Sequence, residues 1–403
     1  MALRTHIRNG NQGGRSILPT LFLAAAIFSP EAGLGQVRLG QPAAAFPEDF
    51  GAIQTVRELP DGRVLVADPL SKALYAVDLA AGTRQVIGGE GEGPEEYRQP
   101  DSVWPLPGDS TLLVDLGNGR LVVLGPDLAF GETMPIAVGD FQPGQPLVLA
   151  IPQGVDGSGN LYARVMGGGM GGGPLPDSAD ILRIDRATGT TEQAARFKIQ
   201  DMTQTTSGGA NNQNIAISPI PLSPEDAWGV ARDGSVILAR AGSYLLERIH
   251  PDGAASRGPE IPFDPIRIGT AEKEEYVAEL GRAGGGIRVG VQMDGGQLSM
   301  NFARGGGGNR EIDQYTWPEA KPPLYSGRIP VDPMGRAWVR RHVDAGGATT
   351  YDVFEESGTR IGTVLLETGK RVIGFGPSGI YVVAYDEFDL NYLERYDWPA
   401  SFR

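Results

Sequence analysis

The sequence predicts an all-β fold, a six-bladed β-propeller with four-stranded blades, and three observations predict it. A glycine turn followed by two β-rich runs recurs six times. The spacing of most repeats matches one blade. Gly (59) and Pro (31) together exceed a fifth of the 403 residues, a turn-rich composition short of the level that signals disorder. An uneven set of hairpins in a β-sandwich also places strands at short intervals and is the alternative.

The turn glycines are Gly62, Gly108, Gly157, Gly234, Gly335 and Gly379. The runs after them read RVLVAD (63–68), TLLVD (111–115), NLYAR (160–164), SVILAR (235–240), RAWVRR (336–341) and GIYVVAY (379–385). All are rich in β-branched and aromatic residues between turn residues. The strands that follow read ALYAVD, RLVVL, DILRID, YLLERIH, TTYDVF and NYLERYD. Hairpin dipeptides such as Ala81-Gly82, Thr188-Gly189 and Asp252-Gly253 come next. The strand before each turn then lines the axis. Blade six lacks an outer strand at the C-terminus, and residues 36–41 are expected to supply it and close the ring.

Blade two reads GEGEGPEEYRQPDSV (89–103) and TLLVDLGNGRLVVL (111–124). The Gly-x-Gly-x-Gly-Pro before an aromatic, the proline opening the inner strand, and the Asp-x-Gly-Asn-x-Arg after the second strand (Asp115, Asn118, Arg120) resemble the NHL-repeat class and the bacterial six-bladed propellers similar to it. The match is partial in blade one (Asp68) and fades in blades three to six. The resemblance implies the fold and little of the function.

Arg4, Arg8 and Arg15 precede an apolar run of 12 residues (17–28), followed by Ala32, Gly33 and Gly35. This is the order of a secretory signal, so residues 1–35 are expected to be removed and 36–403 to form the propeller in the periplasm or outside the cell. The run is short for a membrane span. Its removal takes three arginines and Glu31, leaving a net charge of −16. Such a chain repels phosphate backbones, which argues against nucleic acid. With no cysteine, disulfides and thiolate metal sites are excluded.

Three long insertions interrupt the rhythm, about 166–179 (with GGGMGGG), 200–226 and 264–323. Successive antiparallel strands reverse direction, so turns between the second and third strands and crossovers between blades share one face. All three insertions fall on that face, the expected ligand face. The third is expected to hold a helix with Thr270 as N-cap, early glutamates, an apolar side of Tyr276, Val277 and Leu280, and a stop at Gly281. It is placed to cap the mouth of the channel. The Gly-rich pieces read either as lid segments or as disorder.

The second strands end on this face with Asp68, Asp115, Arg164, Arg240, Arg341 and Tyr385. The aspartates suit turn caps. The arginines suit carboxylate or phosphate. Trp104 on an inner strand and Trp317, Tyr315 and Tyr325 in or beside the third insertion are aromatic candidates. His342 stands on the loop-rich face and His250 on the opposite one, too far apart to share a metal. No G-x-S-x-G elbow accompanies His342. Inner-strand residues Glu58, Gln153 and Asp332 are the oxygen donors if a calcium ion sits on the axis, as in the lactonase-like propellers, but Arg232 and Arg328 on equivalent strands oppose a cation. The preferred reading is a non-catalytic exported binding propeller without a cofactor. It would present the insertion-bearing face to a small anionic ligand, a peptide or an envelope protein. The alternative is a calcium- or other metal-dependent hydrolase or lyase.

Overall fold

The computed structural model describes residues 35–138, 148–165, 175–209, 212–282, 286–294, 297–305 and 311–402. Six four-stranded blades follow one another around an axis. Blade one is Val56–Glu58, Val64–Asp68, Ala73–Asp78 and Thr83–Val86. Blade two is Pro100–Pro105, Thr111–Asp115, Arg120–Leu124 and Phe130–Pro135. Blade three is Gly154–Val155, Leu161–Arg164, Ser178–Ile184 and Thr191–Lys198. Blade four is Ala227–Val230, Val236–Arg240, Leu245–Ile249 and Ala255–Arg257. Blade five opens at Gly327–Arg328 and continues through Ala337–Arg341, Thr349–Phe354 and Arg360–Leu366. Blade six holds Lys370–Gly376, Gly379–Tyr385 and Asn391–Tyr396.

The second strands are buried on both faces because each blade is sandwiched between two others. In blade one, Val64 and Val66 face the seam with blade six while Leu65 and Ala67 face blade two, as a period of two requires. Among the described residues, six apolar clusters fill the seams, one between each pair of neighbouring blades. Each fully buried Leu, Val or Phe there contributes about 1.5–3 kcal/mol, so the blades hold one another. Inner strands crowd at the axis. Blade four's Ala227–Val230 pairs in parallel with Gly327–Arg328 of blade five, and a Cβ on Gly229 would collide with the Ile329 carbonyl.

The ring closes through the N-terminal segment, but not with the residues expected. Ala44–Ala45 supplies the outer strand of blade six against Asn391–Tyr396. Gly35–Arg38 instead adds a parallel strand to the outer edge of blade five. The reason lies downstream: Phe46 and Phe50 are buried in the seam between blades six and one. They set which stretch lies beside the last strand. The turn glycine of blade three also differs, since Gly159 (φ 86°) rather than Gly157 takes the left-handed conformation.

The blade-two motif is structural. Asp115 accepts bonds from the backbone N–H groups of Arg98 and Gln99, and Asn118 links it to the Gly91 carbonyl (2.8 Å). Arg120 donates to the carbonyls of Gly93 and Glu96. Together they pin the Gly-rich crossover onto the blade.

The second insertion forms a hairpin, Met202–Gly209 with Asn212–Pro219. The third leaves and returns through a short pair, Ile266–Arg267 with Ala320–Lys321, and contains a helix, Thr270–Arg282, and a hairpin, Ile287–Asp294 with Gln297–Arg304. Glu272 accepts a bond from the Gly269 N–H (3.0 Å), a capping-box contact that makes Gly269, not Thr270, the N-cap. The helix runs past Gly281, which does not stop it. A further crossover, Ala137–Val138 pairing with Val148–Leu149, adds to the same face between blades two and three. Residues 1–34, the GGGMGGG stretch and residues 306–308 lie outside the described residues.

Candidate functional site on the insertion-bearing face

The third insertion roofs the face where the sequence places the ligand. Its helix is tied to blade five. Glu272 and Glu275 accept bonds from the Ala345 and Gly346 backbone N–H groups, Glu275 pairs with Lys321 (3.3 Å), and Glu279 pairs with Arg340 (2.5 Å). Its last residue, Arg282, reaches Asp389 of blade six (2.7 Å) and lies over Tyr385. The hairpin extends the other way. Arg304 pairs with buried Asp101 of blade two, its backbone exchanges bonds with the Gln99 amide, and Phe302 enters the core between blades two and three. One insertion thus spans from blades five and six to blade two.

Between helix, second insertion and blade five lies a cleft of about 300 Å³. Gln200, Glu225, Tyr276, Tyr325, Ser326 and His342 are among its lining residues. His342 is buried, its ring stacked 3.7 Å from that of Tyr325, and among the described residues its Nδ1 has no hydrogen-bond partner. Burial, with the charges of Lys321 and Arg340 beside it, holds its pKa well below the ordinary value, so the ring is neutral. Burial pushes the Glu225 carboxyl up, against a hydrogen bond from Ser326 and the nearby charge of Arg164. Two ionisable groups in one cleft are thus both biased toward their neutral forms.

The axis itself is occupied by cations. Arg328 of blade five lies over the Trp104 ring of blade two, 5.3 Å from its centre, and donates to the Ile373 carbonyl of blade six (2.6 Å). Arg371 of blade six donates to the Ile53 carbonyl of blade one (3.1 Å) and bonds Tyr385. Burial and the charge of Arg371 lower the Arg328 pKa to about 10. Among the described residues neither guanidinium has a carboxylate within ion-pair distance.

The expected arginine mouth is not left open. Arg240 is held by Asp226 (2.8 Å) and Glu247 (2.7 Å). Arg341 stands 3.8 Å from buried Asp352. Arg164 alone of the three is an exposed side chain. Acids in the same blades neutralise the other two, and no alignment of second strands reveals those partners. Asp68 caps its turn, accepting four backbone N–H groups (Gly51, Ala52, Leu70, Ser71). Trp317 packs with Tyr276 and Tyr315 and donates to the Ile312 carbonyl, which fastens the helix to the return segment.

The calcium donors do not converge. Glu58 accepts bonds from Ser378 and Tyr381, Gln153 donates to the Trp228 carbonyl, and Asp332 holds Arg336 (2.6 Å) and the Trp338 N–H. Arg232 is exposed at its turn rather than in the channel. Among the described residues no group of three His, Asp or Glu is placed to hold a metal. Arg371 escaped sequence reasoning, although a charged residue on an inward-facing strand next to Val372 is the signal that marks it. His250 bonds Ser235 (3.2 Å) and is not among the residues that line the cleft.

No family model matches the chain, and no curated protein does. Solved structures do. Virginiamycin B lyase from Staphylococcus aureus is 9% identical, with a TM-score of 0.41 over 89% of this chain and 99% of that one. A member of the DUF4221 family from Bacteroides vulgatus is 9% identical (TM-score 0.46; 89% and 97%). A calcium-binding protein, regucalcin, from Agrobacterium tumefaciens is 12% identical (TM-score 0.41; 90% and 97%). At such values they assign no activity to this chain. Fold and site together define a six-bladed β-propeller whose mouth is roofed by an insertion. Among the described residues no helix is long and apolar enough to cross a membrane.

Proposed function

We propose that this chain is an exported binding propeller whose ligand enters the roofed cleft of the insertion-bearing face. One observation carries the reading: a cleft of about 300 Å³ is walled jointly by the second insertion, the helix of the third and blade five. Its volume lies at the lower end for small-molecule sites. A small ligand with an acidic group fits the cationic axis beside it, and a peptide or envelope protein is the larger candidate for the same face. NHL-like kinship rests on the blade-two motif. Export rests on the N-terminal pattern, which fractionation and N-terminal sequencing of the mature protein test.

The test of the cleft is a thermal-shift screen of small acids, sugars and short peptides against the wild type and Ser326→Trp, which fills the cleft. Compounds that raise the melting temperature of the wild type only support the reading. Compounds that stabilise both equally place the ligand elsewhere.

A second reading, hydrolysis in the cleft, is favoured by His342 and Glu225 lining the same cleft, both biased toward their neutral forms. Titratable groups with perturbed pKa values that share a cleft mark a candidate functional site. Turnover of ester or lactone substrates that disappears in His342→Gln supports it. Equal turnover in the variant removes it.

A further inference from the structure

We propose that Arg328 and Arg371 form an axial site for one compact oxyanion, a phosphate or a carboxylate group. The inference deepens the binding reading, on which it rests for the ligand's route through the cleft. Several other deeply set arginines are neutralised: Arg240, Arg304, Arg336 and Arg340 each meet an acid, and buried Arg57, held by the Thr111 hydroxyl and the Asp109 carbonyl, feels the charge of Asp109. Among the described residues Arg328 and Arg371 meet no acid, although they belong to neighbouring inner strands, Arg328 donates to the carbonyl two residues from Arg371, and the charge of Arg371 bears on Arg328. Among the described residues their bonds go to neutral groups, the carbonyls of Ile373 and Ile53 and the Tyr385 hydroxyl.

A guanidinium offers five N–H donors in a planar fork. Arg328 spends one on a carbonyl of the next blade, and Arg371 spends one on a carbonyl and bonds the Tyr385 hydroxyl as well, which leaves donors of both forks for acceptor oxygens. A carbonyl dipole does not cancel a full charge, and two like charges in a recessed channel repel unless an anion joins them. The chain as a whole carries −14, so the positive axis is a local feature rather than general basicity. Trp104 floors the site from the opposite blade, and its ring face favours the cation above it. Charge of one sign in a walled cleft also concentrates counter-ions there. The helix and hairpin roof suits a single small group and excludes a polyanionic strand.

Arg340 joins the site to the cleft. It lies 3.8 Å from the Tyr325 ring centre, pairs with Glu279, and its charge acts on Arg371.

The test is isothermal titration calorimetry of the full chain with inorganic phosphate and, separately, with succinate, at low ionic strength. Saturable binding of either anion is expected. It should weaken at least tenfold in Arg328→Gln and in Arg371→Gln, and stay unchanged in Arg232→Gln, an exposed arginine on the opposite face. Tighter phosphate binding identifies a phosphoryl ligand, and tighter succinate binding a carboxylate. No saturable binding by the wild type, or an equal loss in Arg232→Gln, overturns the proposal. If a glutamine variant fails to fold, Arg328→Lys and Arg371→Lys keep the charge and lose the fork, and undiminished affinity in both overturns it equally. Ser326→Trp separates the two readings. Anion binding that survives it leaves the axial site standing without the cleft. Cleft ligands that bind while neither anion does remove the axial site alone.

Discussion

Arg328 of blade five reaches across the axis to Trp104 of blade two, its guanidinium carbon 5.3 Å from the ring centre. Blades two and five are opposite members of a ring of six, so this contact marks the axis and shows it filled by a cation on an aromatic floor. Charge burial without an acid costs stability. Arg328→Met removes that cost and the repulsion from Arg371, at the loss of one bond to Ile373. In anion-free, low-salt buffer, urea unfolding should show the variant equal to the wild type or more stable by about 1 kcal/mol. A loss above about 2 kcal/mol would mean that the clasp on blade six matters more than the charge.

His342 gives a pH signature. Its pKa is held below the ordinary value in the fold, so the unfolded chain binds a proton first as pH falls through about 6.5. Stability is therefore lost as pH drops below that point, by at most about 1.4 kcal/mol per pH unit for one proton. Glu225 acts in the opposite sense, because its raised pKa makes the folded state take up its proton earlier. The difference between wild type and His342→Phe isolates the histidine. The gap should change between pH 7 and 5, and parallel stability curves would show the ring protonating freely in the fold.

Ring closure rests on two phenylalanines. Phe46 and Phe50 are buried between blades six and one and bring Ala44–Ala45 beside the last strand. Phe46→Ala or Phe50→Ala should each cost about 3–5 kcal/mol in urea unfolding. Hydrogen exchange should rise first in Asn391–Tyr396. A cost under about 1 kcal/mol would show that the closing strand holds without its anchors.

The roof depends on Asp101. It is buried and pairs with Arg304 of the insertion hairpin. Asp101→Ala leaves the arginine without this acid and should cost about 2–4 kcal/mol locally. Hydrogen exchange of Gln297–Arg304 should accelerate while the blade strands stay protected. Unchanged exchange would show that Phe302 and the Gln99 amide fasten the hairpin without the ion pair.

Arg240 separates structure from binding. Held by Asp226 and Glu247, its change to Gln leaves largely buried Asp226 without its cation and should lower stability by about 1–3 kcal/mol. Phosphate affinity should not change. Weaker phosphate binding in a folded Arg240→Gln would return the anion to the rim.

Repetition made the architecture legible. Six turns, six buried second strands and their alternation are local, periodic facts, and a blade's strands pair with sequence neighbours. The side of the disc that carries the insertions follows from strand direction alone. Trp104 and Arg328 were readable as inner-strand residues, and His342 as a residue of the loop-rich face. Which charges are free was not readable. Arg240 finds Asp226 at the head of an adjacent strand, whereas among the described residues Arg328 meets one carbonyl and one ring from two other blades. The sequence by itself determined the ring and its crowded face, because strand period and turn chemistry act over a few residues. Only the tertiary structure decided the closing strand, the reach of the roof to blade two and the unpaired arginines on the axis. Those depend on groups brought together across hundreds of residues, where pairing is a matter of distance rather than of pattern.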